Sequence, residues 1–396
     1  MRHIVGIVSG GAWHAYSWRF NRRIDRQYLV RERYAHPLAF RTSVADPRFS
    51  ASMARFARHL HREWLYDLRE TSYLEPRRGF VLGPRGQVLT HPFNYHRLLE
   101  EAPSRAALSL ITGRKVAIPR LDTAVSLRCV GEGNYWHFFD DLLSKLRLVD
   151  ELDLPKNVPL LIGPRVWRQP FFAQAIARGR LRERHWMEHT SMLEIQRLVI
   201  PVPMSLQKAN LEYALQMLAP PAPRPSGRRI FLNRGPQRGR QLLNFSDLRD
   251  VLADFDFEIV DTDDMGLADQ MELFSQARLV VANHGAGLAN LLFRIGQPLE
   301  LVELFAPDFI SPHFVWLAHA FGFGYDAVVG APAGRGHFRI APDELRAVIT
   351  RAVTHIEQRG VAPRRGEKST GCPPHFEGRG ACVPRTPYGG NARGMY

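Results

Sequence analysis

The sequence predicts an α/β protein with a mostly parallel sheet, and three observations predict it. Beyond residue 228, short apolar runs of strand length alternate with amphipathic helical stretches. That order is expected of parallel strands joined by helical crossovers. Four prolines crowd the segment Ala219–Gly227; they cannot continue a helix and mark a linker between two halves. Third, an apolar run at Arg278–Ala282 feeds a turn, His284-Gly-Ala-Gly287, that opens a helix.

The elements follow in chain order. Ile4–Val8 before Gly10-Gly11 reads as a short strand and turn. Met53–Leu68 reads as an amphipathic helix, because Phe56, Leu60 and Trp64 recur at i, i+4 and i+8. Gly83-Pro-Arg-Gly86 between two β-prone runs predicts a hairpin over Gly79–Thr90, and strands followed by helices continue to about Leu218. After the linker come a strand at Arg229–Asn233 and a helix over Asp247–Ala253 capped by Ser246. A strand at Phe257–Val260 and a helix at Leu267–Ala277, with Leu267, Met271 and Phe274 on one face, come next. The series closes with strands at Arg278–Ala282 and Leu299–Phe305, a helix between them at His284–Phe293, and a last helix at Asp343–Gln358. The organisation expected is a basic extension (1–75), an α/β domain (76–218), the linker (219–227), a nucleotide-binding domain (228–358) and a tail (359–396) rich in Gly, Pro and Arg and too poor in apolar residues to fold.

Composition narrows the function. The chain has 396 residues, 45% apolar and 23% charged, which fits a soluble globular protein and excludes a fibre or wholesale disorder. Three cysteines (Cys129, Cys372, Cys382) without metal-ligand spacing make neither a disulfide framework nor a zinc site. The net charge is +14, concentrated at the two ends, with Arg outnumbering Lys 48 to 5. Such a balance favours anionic partners, but no finger, RNP or basic-zipper pattern accompanies it, so no nucleic-acid partner is expected. No apolar run of ~18 residues exists to span a membrane, and Met1–Gly11 lacks the apolar core of a signal peptide. The expectation is a cytoplasmic protein whose basic first hundred residues could touch the anionic inner face of a membrane.

Four segments carry chemistry. The turn after the Val280 strand exposes unpaired backbone N–H groups where a helix dipole is positive, a ready anion site. Gly285 and Gly287 allow a diphosphate to approach the backbone around Ala286, His284 can donate to a phosphate oxygen, and Asn290 can hold a ribose or sugar hydroxyl. No G-x-S-x-G elbow and no G-x-x-x-x-G-K-[ST] accompany it, which argues against a hydrolase or an ATPase. Second, a helix over Gly133–Arg147 places His137, Asp141 and Lys145 on one line beside an apolar stripe. A carboxylate beside a histidine at half-burial suits a general base, with either group in that role; pairing of Asp141 to Lys145 is the bland alternative. Third, Asn233–Arg240 is a strand end followed by a basic loop whose arginines could clamp phosphates. Fourth, Glu303 is a lone acid in a buried strand, to be satisfied by a ligand hydroxyl or an arginine. A rival is Asp261-Thr-Asp263 after a strand, the D-x-D spacing with which some sugar transferases hold a cation.

Together these segments resemble glycosyltransferase family 61, a group that includes bacterial capsular-polysaccharide proteins and eukaryotic O-linked and plant-xylan transferases. The run Asn134-Tyr-Trp-His-Phe-Phe-Asp-Asp-Leu-Leu-Ser-Lys-Leu146 resembles the family's N-Y-x-H-x-x-x-D-x-L-x-R-L. It sets His137 and Asp141 on its His and Asp, Lys145 on its Arg and Asn134 on its Asn. The stretch Asn233–Asn244 resembles S-R-…-R-x-x-x-N, with Arg234, Arg240 and Asn244 in register; Asn233 stands where Ser is usual, and Phe245 where the family prefers Glu. Leu267–Phe293 resembles E-Q-…-F-…-A-…-H-G-A-x-L-x-N-x-x-F, and Leu299–Phe305 matches the V-I-E-L that follows.

The resemblance implies a GT-B-like architecture, two Rossmann-like domains with an inter-domain cleft. It also implies an inverting transfer from a nucleotide-sugar, expected to be UDP-linked, without a cofactor or catalytic metal. Arg234, Arg240, His284, Gly285, Ala286, Gly287, Asn290 and Glu303 would bind the donor. Asp141 or His137 would deprotonate a glycan or lipid-linked acceptor, supported by Lys145, Asn134 and Asn244. Surface or capsular polysaccharide synthesis is the expected setting. A non-catalytic nucleotide-binding or membrane-associated scaffold of a polysaccharide locus, and a metal-dependent transferase using Asp261 and Asp263, are the alternatives.

Overall fold

A computed structural model describes residues 21–35, 43–57, 61–84, 86–90, 105–113, 117–129, 131–224, 227–234, 239–334 and 336–361. The strand expected at Ile4–Val8 and the tail beyond Val361, with Cys372 and Cys382, lie outside the described residues. Among the described residues two large sheets carry the fold, beside a two-stranded ribbon of Ala331–Pro332 and Phe338–Arg339. The first has ten strands, in the order β1 (Asn21–Arg23), β6 (Val88–Thr90), β5 (Val81–Leu82), β4 (Ser72–Leu74), β10 (Leu193–Val202), β7 (Arg120–Ser126), β8 (Leu160–Ile162), β9 (Trp186–Glu188); β3 (His61–Leu68) also pairs with β10, and β2 (Leu29–Ala35) with β3. The order β10-β7-β8-β9 is parallel, while β3 and β4 run antiparallel to β10. This half is therefore a mixed sheet, Rossmann-like only in its parallel portion. The Gly-Pro-Arg-Gly hairpin forms as expected between β5 and β6, closed by the Gly83 amide donating to Gln87 O.

The helix expected over Met53–Leu68 is two elements. Helix α1 (Pro47–Phe56) starts with Asp46 accepting from the Arg48 and Phe49 amides and with Pro47 in its first turn. It ends at Phe56, and His61–Leu68 is strand β3. Strand β3 lies between β2 and β10, and Trp64, Leu65, Tyr66 and Leu68 are all buried. A strand covered on both faces loses the period-2 alternation that would have identified it. Helix α1 itself crosses to the other half. Phe49 packs against Phe305 and Tyr325 at centroid distances of 6.0 and 6.3 Å, and Arg48 donates to Val329 O and Ser52 to Ile310 O. The sequence boundary drawn at residue 75 thus falls within one sheet.

The second sheet is fully parallel, in the order β12 (Glu258–Val260), β11 (Arg228–Leu232), β13 (Ala277–Asn283), β14 (Glu300–Phe305), β15 (Gly324–Val329). Its strands alternate between two cores. Leu279 and Val281 face one side with helices α8 (Phe245–Asp254) and α11 (Pro342–Val361). Val280 and Ala282 face the other with α9 (Leu267–Ser275), the 3₁₀ segment Ala286–Arg294 and α10 (His313–Phe321). All four residues are fully buried, so the sequence here reads as an unbroken apolar run, as buried parallel strands do. The strands and helices expected in this half are present. Ser246 is not the cap of α8: the chain enters that helix at Asn244, and Ser246 lies inside it.

The order of this sheet reverses between β11 and β13. In open parallel sheets such a switch point opens a crevice at the carboxyl ends of the strands, where ligands bind. The two halves share one core across the proline-rich linker: Phe139 packs on Phe293 at 5.8 Å and Trp136 on Phe314 at 5.2 Å. Among the described residues no helix is long and apolar enough to cross a membrane.

Candidate functional site

The crevice between β11 and β13 collects most of the residues singled out for donor binding. Strand β13 ends at Asn283, and His284 donates its amide to Leu304 O at 2.8 Å, which fixes the start of the turn. The following segment, Ala286–Arg294, is a 3₁₀ helix rather than the α-helix expected. Its first amides, those of Ala286 and Gly287, precede any carbonyl that could accept them within the segment, and both residues are partly exposed. Gly285 is extended, and its missing side chain makes room for the Arg234 guanidinium. Arg234 Nη1 donates to His284 O at 3.1 Å. Arg240 has φ 62°, a strained conformation for a non-glycine residue. Its guanidinium lies over the Phe309 ring at 4.2 Å, and its buried Nη1 has no hydrogen-bond partner among the described residues. Two arginines therefore lie beside a turn whose first amides have no acceptor within the segment.

His284 is held from behind. Its Nδ1 lies 2.5 Å from Glu303 Oε1, and Tyr325 donates to Glu303 Oε2 at 2.8 Å. Burial pushes the Glu303 carboxyl up to about 8, against the lowering effect of Tyr325 and Arg240. Burial, then the charges of Arg240 and Arg234, hold His284 well below the usual imidazole value. Both shifts favour the neutral forms. In that pair Glu303 Oε1–H donates to Nδ1 and the ring proton sits on Nε2, which makes His284 a hydrogen-bond donor without a charge of its own. Phe305, Phe309 and Phe314 surround the ring at 5.2, 5.4 and 5.5 Å. Glu303 thus spends its two oxygens on His284 and Tyr325, within reach of the Arg240 charge, and orients the His284 ring.

Other expected residues have structural partners. Asn290 is fully buried, accepts from Tyr135 Oη at 2.9 Å and donates to Gln270 at 2.8 Å. It joins the two halves and is not available to a ribose. Tyr135→Phe, which strands a buried acceptor on Asn290, is expected to lower stability by about 1–3 kcal/mol, read as a fall in the urea midpoint at unchanged m-value. Asn244 donates to Ile340 O and accepts from the Ile340 amide. Phe245 stacks on Phe231 at 5.3 Å, on the face of the sheet opposite α9. Asp261 accepts from the Asp263 amide at 2.9 Å in a tight turn after the edge strand β12. Among the described residues no three His, Cys, Asp or Glu side chains gather as metal ligands would.

The second centre lies after β7, again at the carboxyl end of a parallel strand. Asn134 caps the helix start by accepting from the Trp136 amide at 2.9 Å and the His137 amide at 3.4 Å. Helix α3 (Tyr135–His137) passes directly into a π-helical stretch, Phe138–Leu143, and then into α4 (Lys145–Asp150). The widened turn, a feature common at functional sites, breaks the single line expected for His137, Asp141 and Lys145. His137 Nδ1 pairs with Asp141 Oδ2 at 2.5 Å, both side chains 18% exposed. Lys145 turns inward and donates to Arg128 O at 2.6 Å; burial lowers its pKa. Arg128 in turn reaches Glu132 and the carbonyls of Pro76 and Arg77. This fixes the loop carrying Gly131, where φ is +92° and a Cβ would come within 2.6 Å of the His137 ring.

Burial works to lower the His137 pKa, but the charge and hydrogen bond of Asp141, with Asp140 beyond, raise it above the ordinary value. Asp140 is buried and accepts from Ser205 and from the Leu206 amide; burial and Asp141 push it up to about 7. It anchors the turn into α7 (Lys208–Leu218).

The two centres meet at the start of α10. Trp136 packs edge-on against His313 and Phe314 at 6.3 and 5.2 Å, and Phe314 lies against His284. Sequence patterns marked neither His313 nor Tyr325. Both sit in ordinary apolar contexts, and the acid that Tyr325 satisfies lies 22 residues away. Residues 135–299 match the family model described as Glycosyltransferase 61, a span running from the helix start of the His137–Asp141 pair to the residue before β14, the strand that carries Glu303. No curated protein matches the chain.

Proposed function

We propose that this chain, a glycosyltransferase whose residues 135–299 belong to family 61, moves a sugar from a nucleoside-diphosphate donor to a hydroxyl acceptor by a single inverting displacement. Arg234 bonds His284 O beside Gly285, and the charges of Arg240 and Arg234 both reach His284, at the turn that opens into Ala286 and Gly287 at a sheet switch point. That arrangement carries the proposal. Such a cluster offers two fixed cations, a neutral donor and backbone N–H groups to a diphosphate, stabilising it as charge develops on the leaving oxygen. No step of this grip calls for a metal. A GT-B-like cleft is the arrangement that lets the His137–Asp141 pair reach the other side of the same sugar. With Asp141 holding Nδ1–H, His137 Nε2 is the nitrogen that takes the acceptor proton. The acceptor would be a glycan or a lipid-linked sugar, as polysaccharide synthesis requires.

Isothermal titration with UDP tests the donor site. The wild-type chain is expected to bind with and without EDTA, and Arg240→Ala to bind about 10- to 100-fold more weakly, the loss of one charged hydrogen bond. Equal affinity in the two proteins would remove Arg240 from the site. Turnover lost on chelation and restored by Mn²⁺ would favour Asp261 and Asp263 instead.

A further inference from the structure

We infer that His313 contacts the transferred sugar itself and helps to select it. The inference rests on the donor-site reading above and adds a residue to it. In a single displacement, the acceptor oxygen and the leaving phosphate oxygen lie on opposite sides of the anomeric carbon. The sugar ring must therefore occupy the space between the base and the diphosphate grip. His313 stands in that interval. On one side it meets Trp136, the residue before His137, at a ring distance of 6.3 Å. On the other, its neighbour Phe314 packs against His284 at 5.5 Å. The charges of His284, His137, Asp141 and His61 all reach it, so groups from both halves surround it.

Its chemistry suits a sugar better than a phosphate. Burial and the neighbouring histidines hold its pKa down to about 3, leaving a neutral imidazole throughout the working pH range. A neutral ring gives no Coulomb attraction to a diphosphate, but it can donate to or accept from a sugar hydroxyl. Ser311 Oγ hydrogen-bonds its Nδ1 and so fixes the ring orientation. Trp136, packed edge-on against the ring, and Phe314, the next residue, are both buried and hold His313 at the border of the shared core.

The test compares ligands that differ only by the sugar. UDP is titrated into wild type, His313→Ala and His313→Gln, alongside whichever of UDP-glucose, UDP-galactose, UDP-xylose and UDP-N-acetylglucosamine the wild type binds best. For His313→Ala we expect UDP affinity within about twofold of wild type and affinity for the sugar nucleotide reduced at least tenfold. His313→Gln, which keeps a donor and an acceptor, should lie between, with a changed order of preference among the four donors. Equal losses for UDP and the sugar nucleotide would overturn the inference in favour of a phosphate contact or a packing role. Wild-type affinities and preferences in both variants would overturn it as well. If the wild type binds no UDP and no sugar nucleotide, the donor site falls first and this inference with it.

Discussion

An Asp141→Asn variant is expected to lose about 10³-fold in kcat while binding UDP as tightly as wild type, a general base being worth about 10²–10⁴-fold. Asp141 meets the His137 ring at Nδ1, 2.5 Å away, on the side proposed for the acceptor. It does not touch the arginines proposed to hold the diphosphate. In the proposed mechanism the carboxylate does two things. It selects the tautomer in which Nε2 is basic, and it stabilises the imidazolium that forms when the acceptor hydroxyl gives up its proton. Asparagine can do neither well. The pH profile separates this role from packing. His137 has a raised pKa because of Asp141, and it must be unprotonated to act, so kcat/KM of the wild type should rise with pH through a value above 6.5. In Asp141→Asn the nearest anion is gone, burial is opposed only by the more distant Asp140, and the acid limb should move to lower pH even as the plateau collapses. The same pair contributes folding stability that is complete below about pH 6.5 and fades as pH rises through the elevated His137 value. A variant with wild-type kcat and an unmoved limb would end the assignment of this pair as the base.

The C-terminal half was readable because its local signals agree with its global fold. Its strands β11, β13 and β14 alternate residue by residue between two cores, and helices of ordinary length separate them. The turn at His284–Gly287 could be placed because an apolar run ending in two closely spaced glycines marks a strand-to-helix turn. The N-terminal half was harder to read. Strand β3 is covered on both faces, and the sequence spacing of Phe56, Leu60 and Trp64, which runs from the end of α1 into it, imitates a helix. The π-helical widening at Phe138–Leu143 rotates Lys145 off the His137–Asp141 line, and α-helical periodicity has no mark for such an insertion. The partners of Glu303 and Asn290 come from strands and helices that only the tertiary fold brings near. A buried polar residue therefore announced that something must satisfy it, without saying whether a ligand or the protein would.

Glu303 supplies the second large effect, because two substitutions of similar size should part company. Burial raises the Glu303 pKa to about 8 and so favours the neutral acid near pH 7, the form that donates to His284 and accepts from Tyr325. Glutamine has the same shape and the same pattern, one donor and one acceptor. Glu303→Gln should therefore keep the fold and UDP affinity within a few-fold of wild type. Alanine leaves the Tyr325 hydroxyl and His284 Nδ1 unpaired beside a cavity in a site that is fully buried. Glu303→Ala should cost about 3–5 kcal/mol of stability, from a stranded polar group at about 1–3 kcal/mol and the void. It should also abolish UDP binding, since His284 loses both its tautomer and its orientation. The pH dependence follows from the sign of the shift. An acid whose folded pKa lies above its unfolded value of 4.5 contributes stability that is full below about pH 4.5 and is lost as pH rises through about 8. Across that window the wild-type melting temperature should decline relative to Glu303→Gln, whose amide does not titrate. His284 acts at the other end: its depressed value withdraws stability only as pH falls below about 6.5, in both proteins alike. If Glu303→Gln proves as damaging as Glu303→Ala, the acid is ionised in the folded protein. His284 would then donate from Nδ1, and its Nε2 would face the diphosphate as a lone pair, which an anion would avoid.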